Sequence, residues 1–230
     1  MATLAHCAFC FETLAANLEK RPQLSLSKVE CLWSKHASAS SSAASSSSTS
    51  ISSVDTTSPL FVTWNTVSQS GEKRLRGCIG TFEAQELETG LRDYALTSAL
   101  SDHRFSPMTL SELPTLSVGV TLLTDFEPAS HALDWRLGTH GIRVAFEHEG
   151  RRYGATYLPD VATEQGWSKE EAVVSAMRKA GWRGREDEWE SVGVRVTRYQ
   201  GKKVELDYGE WARWRRVVDG EEEEEEEDEE

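Results

Sequence analysis

Leu75-Arg76-Gly77-Cys78-Ile79-Gly80-Thr81-Phe82 is the stretch on which the reading of this chain turns. Its apolar residues mark an extended segment, yet two glycines lie inside it. Glycine weakens a strand through entropy and lost packing. A strand that keeps two of them points to a bulge or to a close backbone approach. Simple alternation puts Leu75 and Ile79 on the core face and Arg76 and Cys78 together on the opposite face, about 7 Å apart by the strand rise. A neighbouring guanidinium favours thiolate, so Cys78 is a candidate reactive group with Arg76 beside it. Free cysteine is equally a small buried hydrophobe. Three uses stay open at this point: a structural bend, a binding surface formed by Gly77, Ile79, Gly80 and Thr81 around the pair, and thiol chemistry.

Outward from this stretch the chain reads as mixed elements. Leu60, Phe61, Val62, Trp64 and Val67 form a β-branched and aromatic run. Gln69 to Glu72 turn it back into the glycine-bearing strand, a hairpin. Leu87, Leu91, Tyr94, Ala95, Ser98 and Ala99 predict a helix, and Pro107 and Pro114 bracket a loop. Leu116, Val118, Val120 and Leu122 alternate, which predicts a strand buried on one face. Ile142, Val144 and Phe146 alternate too, and Glu149-Gly150 turns the chain into Arg152 to Leu158. Ser168 with Glu171 three residues on is a capping box. Ala172, Val173, Ala176 and Met177 give that helix its face, and Gly181 is placed as its C-cap. Val192, Val194 and Val196 start a late strand, with Val204 and Leu206 expected to pair with it across Gly201. Trp211 and Trp214 close the domain in a short helix. Before all of this, Leu4, Cys7, Ala8, Phe11, Leu14, Ala15 and Leu18 form one helical face that Pro22 ends. Hairpins outnumber crossovers, so the fold class is α+β with largely antiparallel sheets and packed helices.

Hydrophobic residues make up 38% of the 230, which is low, and two polar segments account for it. Residues 37–58 are mostly Ser, Ala and Thr and offer little to bury, so they read as a disordered insert. From Asp219 on there are eleven acids, so of the net charge of −13 only about −2 belongs to the rest of the chain. That tail, 219–230, reads as a self-repelling solvated segment. The expected organisation is therefore an N-terminal helical segment (1–36) packed on a domain, the insert (37–58), the domain proper (59–218) and the acidic tail. Cys7-x-x-Cys10 has no second ligand pair at zinc spacing and lies in a helical pattern, so no metal is assigned. The start lacks a basic and apolar signal segment, and no apolar run approaches the ~20 residues of a membrane span. An intracellular location, nucleus or cytoplasm, with free thiols is the expectation.

The same residues carry a family resemblance. Leu75 to Phe82 resembles the signature of the AMMECR family, named for the AMME syndrome candidate protein. Leu60-Phe61-Val62-Thr63-Trp64 precedes it in the family's order. Tyr94 to Ala99 with Asp102-His103-Arg104-Phe105, then Glu112-Leu113-Pro114, Leu133-Asp134-Trp135, His140-Gly141-Ile142, Tyr157-Leu158-Pro159, Glu164-Gln165-Gly166-Trp167 and Thr197-Arg198-Tyr199 follow it. The resemblance implies two intertwined, similar β/α units and no settled activity. In microbes, family members are encoded with or fused to Memo-like and radical-SAM proteins. In animals the family is associated with nuclear or cytoplasmic location and protein partners. The Ser-rich insert and the acidic tail lie outside the family pattern.

His103 could act as a base toward Cys78 with Asp102 orienting it. The alternative is a loop clamp in which Arg104 pairs a carboxylate and Phe105 plugs the core. His140 reads as a turn histidine or as a surface group near Cys78. Glu164 and Trp167 could line a pocket. Arg151-Arg152, Lys202-Lys203 and Arg213, Arg215 and Arg216 read as solvated basic clusters, and Arg215-Arg216 as partners of the acidic tail. The stretch lacks the aromatic pair that stacks bases, so nucleic acid is the least favoured ligand. The sequence favours a binding or adaptor module with a protein partner, then a small ligand, with an enzyme or enzyme subunit using Cys78 as the alternative. No cofactor is implied.

Overall fold

The computed structural model describes residues 1–40 and 57–228. In chain order the elements are α1 (Leu4–Glu19), α2 (Leu26–Ser40), β1 (Thr57–Val67), β2 (Lys73–Glu86), α3 (Leu87–Leu100), β3 (Leu116–Pro128), β4 (His140–His148), β5 (Arg151–Tyr157), α4 (Val161–Glu164), α5 (Lys169–Ala180), β6 (Arg195–Asp207) and α6 (Tyr208–Asp228). Short 3-10 helices span Leu110–Thr115 and Glu186–Val192. The strand order is β2-β1-β3-β6-β4-β5, so β2 and β5 are the outer strands. The β1/β2, β1/β3, β4/β5 and β4/β6 pairs are antiparallel, and the class is α+β.

The chain divides into two compact units, one discontinuous (Ala2–Leu122 with Lys203–Glu230) and one inserted (Leu123–Lys202). In the discontinuous unit α1 is central. Cys7 to Phe11 and Leu14 to Ala15 have no exposed surface, and Phe11 meets Trp64 edge-on at 5.2 Å and stacks on Trp211 at 5.5 Å. Trp64 on β1 donates its Nε1–H to Ala95 O of α3 at 3.1 Å, which satisfies a buried indole and ties strand to helix. Cys7 and Cys10 are therefore core residues. Burial pushes both thiols up, Cys7 to about 12, so neither is a thiolate at neutral pH. Glu12, fully buried on the same helix, is held by Arg21 (Oε1 and Oε2, 2.5 and 3.0 Å).

The inserted unit packs α5 on β4 and β5. Its core is Ile142, Val144, Phe146, Ala172, Val173, Ala176, Met177, Trp182 and Trp189, with their neighbours. The capping box of α5 forms as the sequence predicts: Ser168 Oγ accepts from Glu171 N and Glu171 Oε2 from Ser168 N. Gly181 ends the helix with φ +111°, a conformation L side chains rarely adopt.

Several expectations need correction. A helix, α2, follows Pro22, buries Leu26, Val29, Leu32 and Trp33, and runs into the first residues of the Ser-rich insert; residues 41–56 of that insert lie outside the described residues. Val204 and Leu206 do not return across Gly201, because β6 is one continuous strand. Strand β3 is buried on both faces from Leu116 to Leu123, since the side chain of Lys203 lies over Gly119 and Lys73 Nζ reaches Ser117 Oγ at 3.2 Å. The closing helix α6 is long, with its backbone continuing through the glutamates to Asp228; glutamate is a good helix former.

Candidate functional site

Strand β2 pairs with β1 in register from Thr81 opposite Leu60 to Gly77 opposite Trp64, then slips: Leu75, not Arg76, faces Asn65. Arg76 is the extra residue of a β-bulge. The bulge breaks the simple alternation before Gly77, moving Leu75 off the core face, while Ile79 and Cys78 keep the faces expected of them. Gly77, Ile79 and Thr81 lie opposite the core-facing Trp64, Val62 and Leu60, while Cys78 and Gly80 lie opposite Thr63 and Phe61 on the other face. Leu75 falls on that second face and is 45% exposed. The two glycines serve close approach. A Cβ on Gly77 would collide with the backbone carbonyl of Ser98 in α3, and one on Gly80 would strike the Phe61 ring.

Arg76 is not aimed at the thiol. Its Nε donates to Glu112 Oε1 at 2.9 Å and its Nη1 to Ser106 O at 2.8 Å, and its side chain is only 13% exposed. Glu112 also caps Thr109, accepting from its N at 2.9 Å, which fixes the carboxylate that holds the arginine. Arg76 is thus a pin between the bulge and the 106–112 segment.

The neighbour of Cys78 is instead the loop that follows α3. Asp102 Oδ2 accepts the Cys78 N–H at 2.9 Å, and Arg104 Nη2 donates to Cys78 O at 3.1 Å. Arg104 and Asp102 are themselves joined twice, Nη2 to Oδ2 at 2.7 Å and Nε to Oδ1 at 2.9 Å. An outer strand presents unpaired N–H and C=O groups. Here a carboxylate and a guanidinium occupy the places that a further strand's C=O and N–H would take. Because the Cys78 amide and carbonyl point to this loop, Cys78 and Thr63 form the non-hydrogen-bonded kind of antiparallel pair, whose side chains lie close. Thr63 Oγ1 and Cys78 Sγ are 3.1 Å apart. The Arg104 side-chain bonds hold the Asp102 carboxyl well below the usual carboxylate range, against the opposing cost of burial and with the help of the Cys78 and Arg104 N–H groups. The clamp reading of this loop matches the geometry in its ion pair and departs from it at Phe105. That ring is half-buried, 5.4 Å from Arg104 Cζ and 6.0 Å from Arg76 Cζ, so it separates two cations rather than plugging the core.

His103 is exposed, and the Asp102 oxygens that were to orient it are taken by Cys78 and Arg104. No hydrogen bond joins His103 to Cys78 among the described residues, so the base alternative gains nothing from the geometry. His140 and Glu164 belong to the inserted unit. His140 Nδ1 accepts from Arg136 N at 3.0 Å and closes the turn before β4, the turn-histidine role; burial lowers its pKa. Glu164 is exposed at the end of α4, and Trp167 packs against Tyr157 at 5.6 Å. Among the basic clusters, Arg215 meets Asp219 at 2.7 Å within α6.

The face carrying Cys78 is a strip of half-buried Phe61, Thr63, Cys78, Gly80 and Phe82, with Phe61 and Phe82 packed edge-on at 5.1 Å. On the same side of β1, Lys73 joins Glu205 at 3.0 Å, Asp207 at 3.4 Å and Ser117, and Glu205 joins Lys203 at 2.5 Å. Sequence reasoning missed this ion network. The isolated Gly119 within an apolar strand pattern was its signal, since such a glycine marks close approach by another group. Among the described residues no cluster of His, Cys, Asp and Glu could hold a metal ion.

Residues 7–204 match the family model described as AMMECR1. The chain belongs to the AMMECR1 family. It is similar to an uncharacterized protein of Arabidopsis thaliana, 46% identical over 164 residues, covering 70% of this chain and 77% of that one. It is also similar to an uncharacterized protein of Schizosaccharomyces pombe, 39% identical over 206 residues, covering 90% and 93%. The crystal structure of an uncharacterized protein from Pyrococcus horikoshii has the same fold, with TM-score 0.61 at 22% identity over 88% of this chain and 90% of that chain. None of these similar proteins carries a described activity in its name. No helix among the described residues is long and apolar enough to cross a membrane.

Proposed function

We propose that this AMMECR1-family chain is a binding module in which the Cys78 strip, Phe61, Thr63, Cys78, Gly80 and Phe82, grips a partner protein. The observation that carries the reading is the clamp. Asp102 and Arg104 satisfy the outer strand at Cys78, and Arg76 pins the bulge, so the strip is held in place and half-exposed, with no base bonded to the thiol among the described residues. A preorganised, partly apolar surface loses little entropy on binding, whereas nucleophilic catalysis by cysteine needs an adjacent base or a lowered pKa. Blocking the strand edge at Cys78 also directs a partner to the strip's face rather than to strand addition.

The test uses Cys78 itself. In a Cys31→Ser variant, Cys78 is the one remaining cysteine that is not buried. A photo-crosslinker attached there should capture a discrete partner in extracts, and Phe82→Ser should abolish that capture. Absence of any discrete adduct, or capture indifferent to Phe82→Ser, would end the reading. The alternative, a reactive thiol, has the half-buried rather than buried position of Cys78 in its favour. It requires an alkylation rate whose pH midpoint lies well below ~8.5, the value for an ordinary thiol.

A further inference from the structure

We infer that the inserted unit carries a second, separate site: an oxyanion pocket on the β4/β6 face that takes a small phosphorylated molecule. A cavity of about 430 Å³ lies there, lined among others by Arg143, Arg195, His131, Ala145 and Thr197. The sheet register builds its floor. Arg143 faces Thr197 across β4 and β6, and Ala145 faces Arg195, so the two arginines are diagonal neighbours with two small residues between them. Ile142 and Val144 alternate with them into the core, which leaves Arg143 and Ala145 on the opposite face.

Like charges set side by side on a sheet repel. Some guanidiniums of the chain meet carboxylates, as Arg76 meets Glu112, Arg104 meets Asp102, and Arg198 meets Glu127 and Asp134, and others, Arg151 and Arg152 among them, stand exposed to solvent. Among the described residues neither Arg143 nor Arg195 has such a partner, and no acid lines the cavity. Glu147 shares the strand face beyond Ala145 and is not among the lining residues. The wall is the segment after β3, pinned by Ala129 N to Val196 O at 2.8 Å. In it His131 Nδ1 accepts from Leu133 N at 3.3 Å, which leaves Nε2 as its remaining polar atom. Two forked donors plus an imidazole and a threonine hydroxyl suit an oxyanion with three free oxygens, since guanidinium matches phosphate in a paired fashion. The volume falls within the range of small-molecule sites.

The experiment titrates the full chain with inorganic phosphate and with phenyl phosphate at constant ionic strength, read by calorimetry. One saturable site is expected. Arg143→Gln and Arg195→Gln should each weaken it about tenfold, the scale of one lost charge-assisted bond. Arg151→Gln, an exposed charge on the outer strand β5, should leave it unchanged. Ala145→Leu fills the floor without altering any charge and should abolish binding while the circular dichroism spectrum stays that of the parent. Non-saturable binding, or equal weakening by all three arginine variants, overturns the inference. So does full affinity in Ala145→Leu.

Discussion

Asp102→Asn is the most informative single change, because one oxygen atom decides it. Asp102 accepts four hydrogen bonds, two on each oxygen: Cys78 N and Arg104 Nη2 on Oδ2, Arg104 Nε and Arg104 N on Oδ1. Asparagine keeps one carbonyl oxygen and replaces the other with an NH₂ donor. Whichever way the amide turns, two donors face a donor, so two bonds are lost, at least one of them to a guanidinium. Bonds to charged groups contribute about 1.5–3 kcal/mol each. The Arg104 side chain is 54% exposed, so solvent screens its share and the low end applies. The expected loss is about 2 kcal/mol. The assay is urea unfolding followed by tryptophan fluorescence, with hydrogen exchange at the Cys78 amide as the local reading; that amide should exchange faster in the variant. His103→Ala, at an exposed position, should stay within about 0.5 kcal/mol. The pH dependence has a definite sign. The folded carboxyl lies below its ordinary value, so the unfolded chain takes up the proton first as pH falls. The contribution of Asp102 is therefore fully present above about pH 4 and is lost below it. Asp102→Asn should flatten that acid limb. If the variant unfolds with the wild-type midpoint and its Cys78 amide exchanges no faster, the clamp reasoning is wrong.

Other outcomes follow from the same geometry. Gly77→Ala drives a Cβ into the α3 backbone at Ser98 and should cost roughly 3 kcal/mol, at the upper end of overpacking penalties because a helix must move. Gly71→Ala meets no neighbour but has φ +82°, so it should cost only about 1 kcal/mol, and a comparison of denaturant midpoints separates collision from strain. Glu12→Ala removes a fully buried carboxylate and its two bonds to Arg21, which keeps Glu19 as a partner, for a loss of about 2 kcal/mol in the same assay. Buried His6 has its pKa lowered to about 4, by desolvation and then by the N-terminus, so the unfolded chain binds the proton first. Stability should fall from about pH 6.5 down to about 4, and His6→Asn should remove that slope.

What could be read in advance was local. The β1/β2 and β4/β5 hairpins, the Ser168 cap and the Gly181 stop each depend on residues within a few positions of one another, and each formed. Helix α2 was legible in principle from Leu26, Val29, Leu32 and Trp33 at helical steps, but the polar run that follows them masked the pattern. The site was legible only as a place. Two glycines in a strand signalled close approach, and Gly77 against Ser98 and Gly80 under Phe61 supply it. The roles were not legible, because they depend on where the chain slips. A bulge at Arg76 is set by register against Asn65, eleven residues away in sequence, and it sends the guanidinium to Glu112 instead of Cys78. The Asp102–Arg104 clamp likewise joins positions 24 and 26 residues from Cys78.

The small residues on the sheet faces opposite the cores tie these readings together. In the discontinuous unit Phe61 lies against Gly80, and the Lys203 side chain lies over Gly119. In the inserted unit the Tyr199 ring lies over Gly141, held by Thr156 at 3.0 Å and by Tyr157 O at 2.8 Å. At these three positions the space left by a missing side chain is filled by a ring or a lysine stem from within the same unit. Ala145 is the exception, because its small side chain floors an open cavity flanked by two arginines without carboxylate partners among the described residues. Like charges set side by side on a sheet repel. An open cavity with two like charges at its floor is where an anionic ligand would fill the one and neutralise the other, and the phosphate titration with Ala145→Leu separates that use from an idle surface hollow.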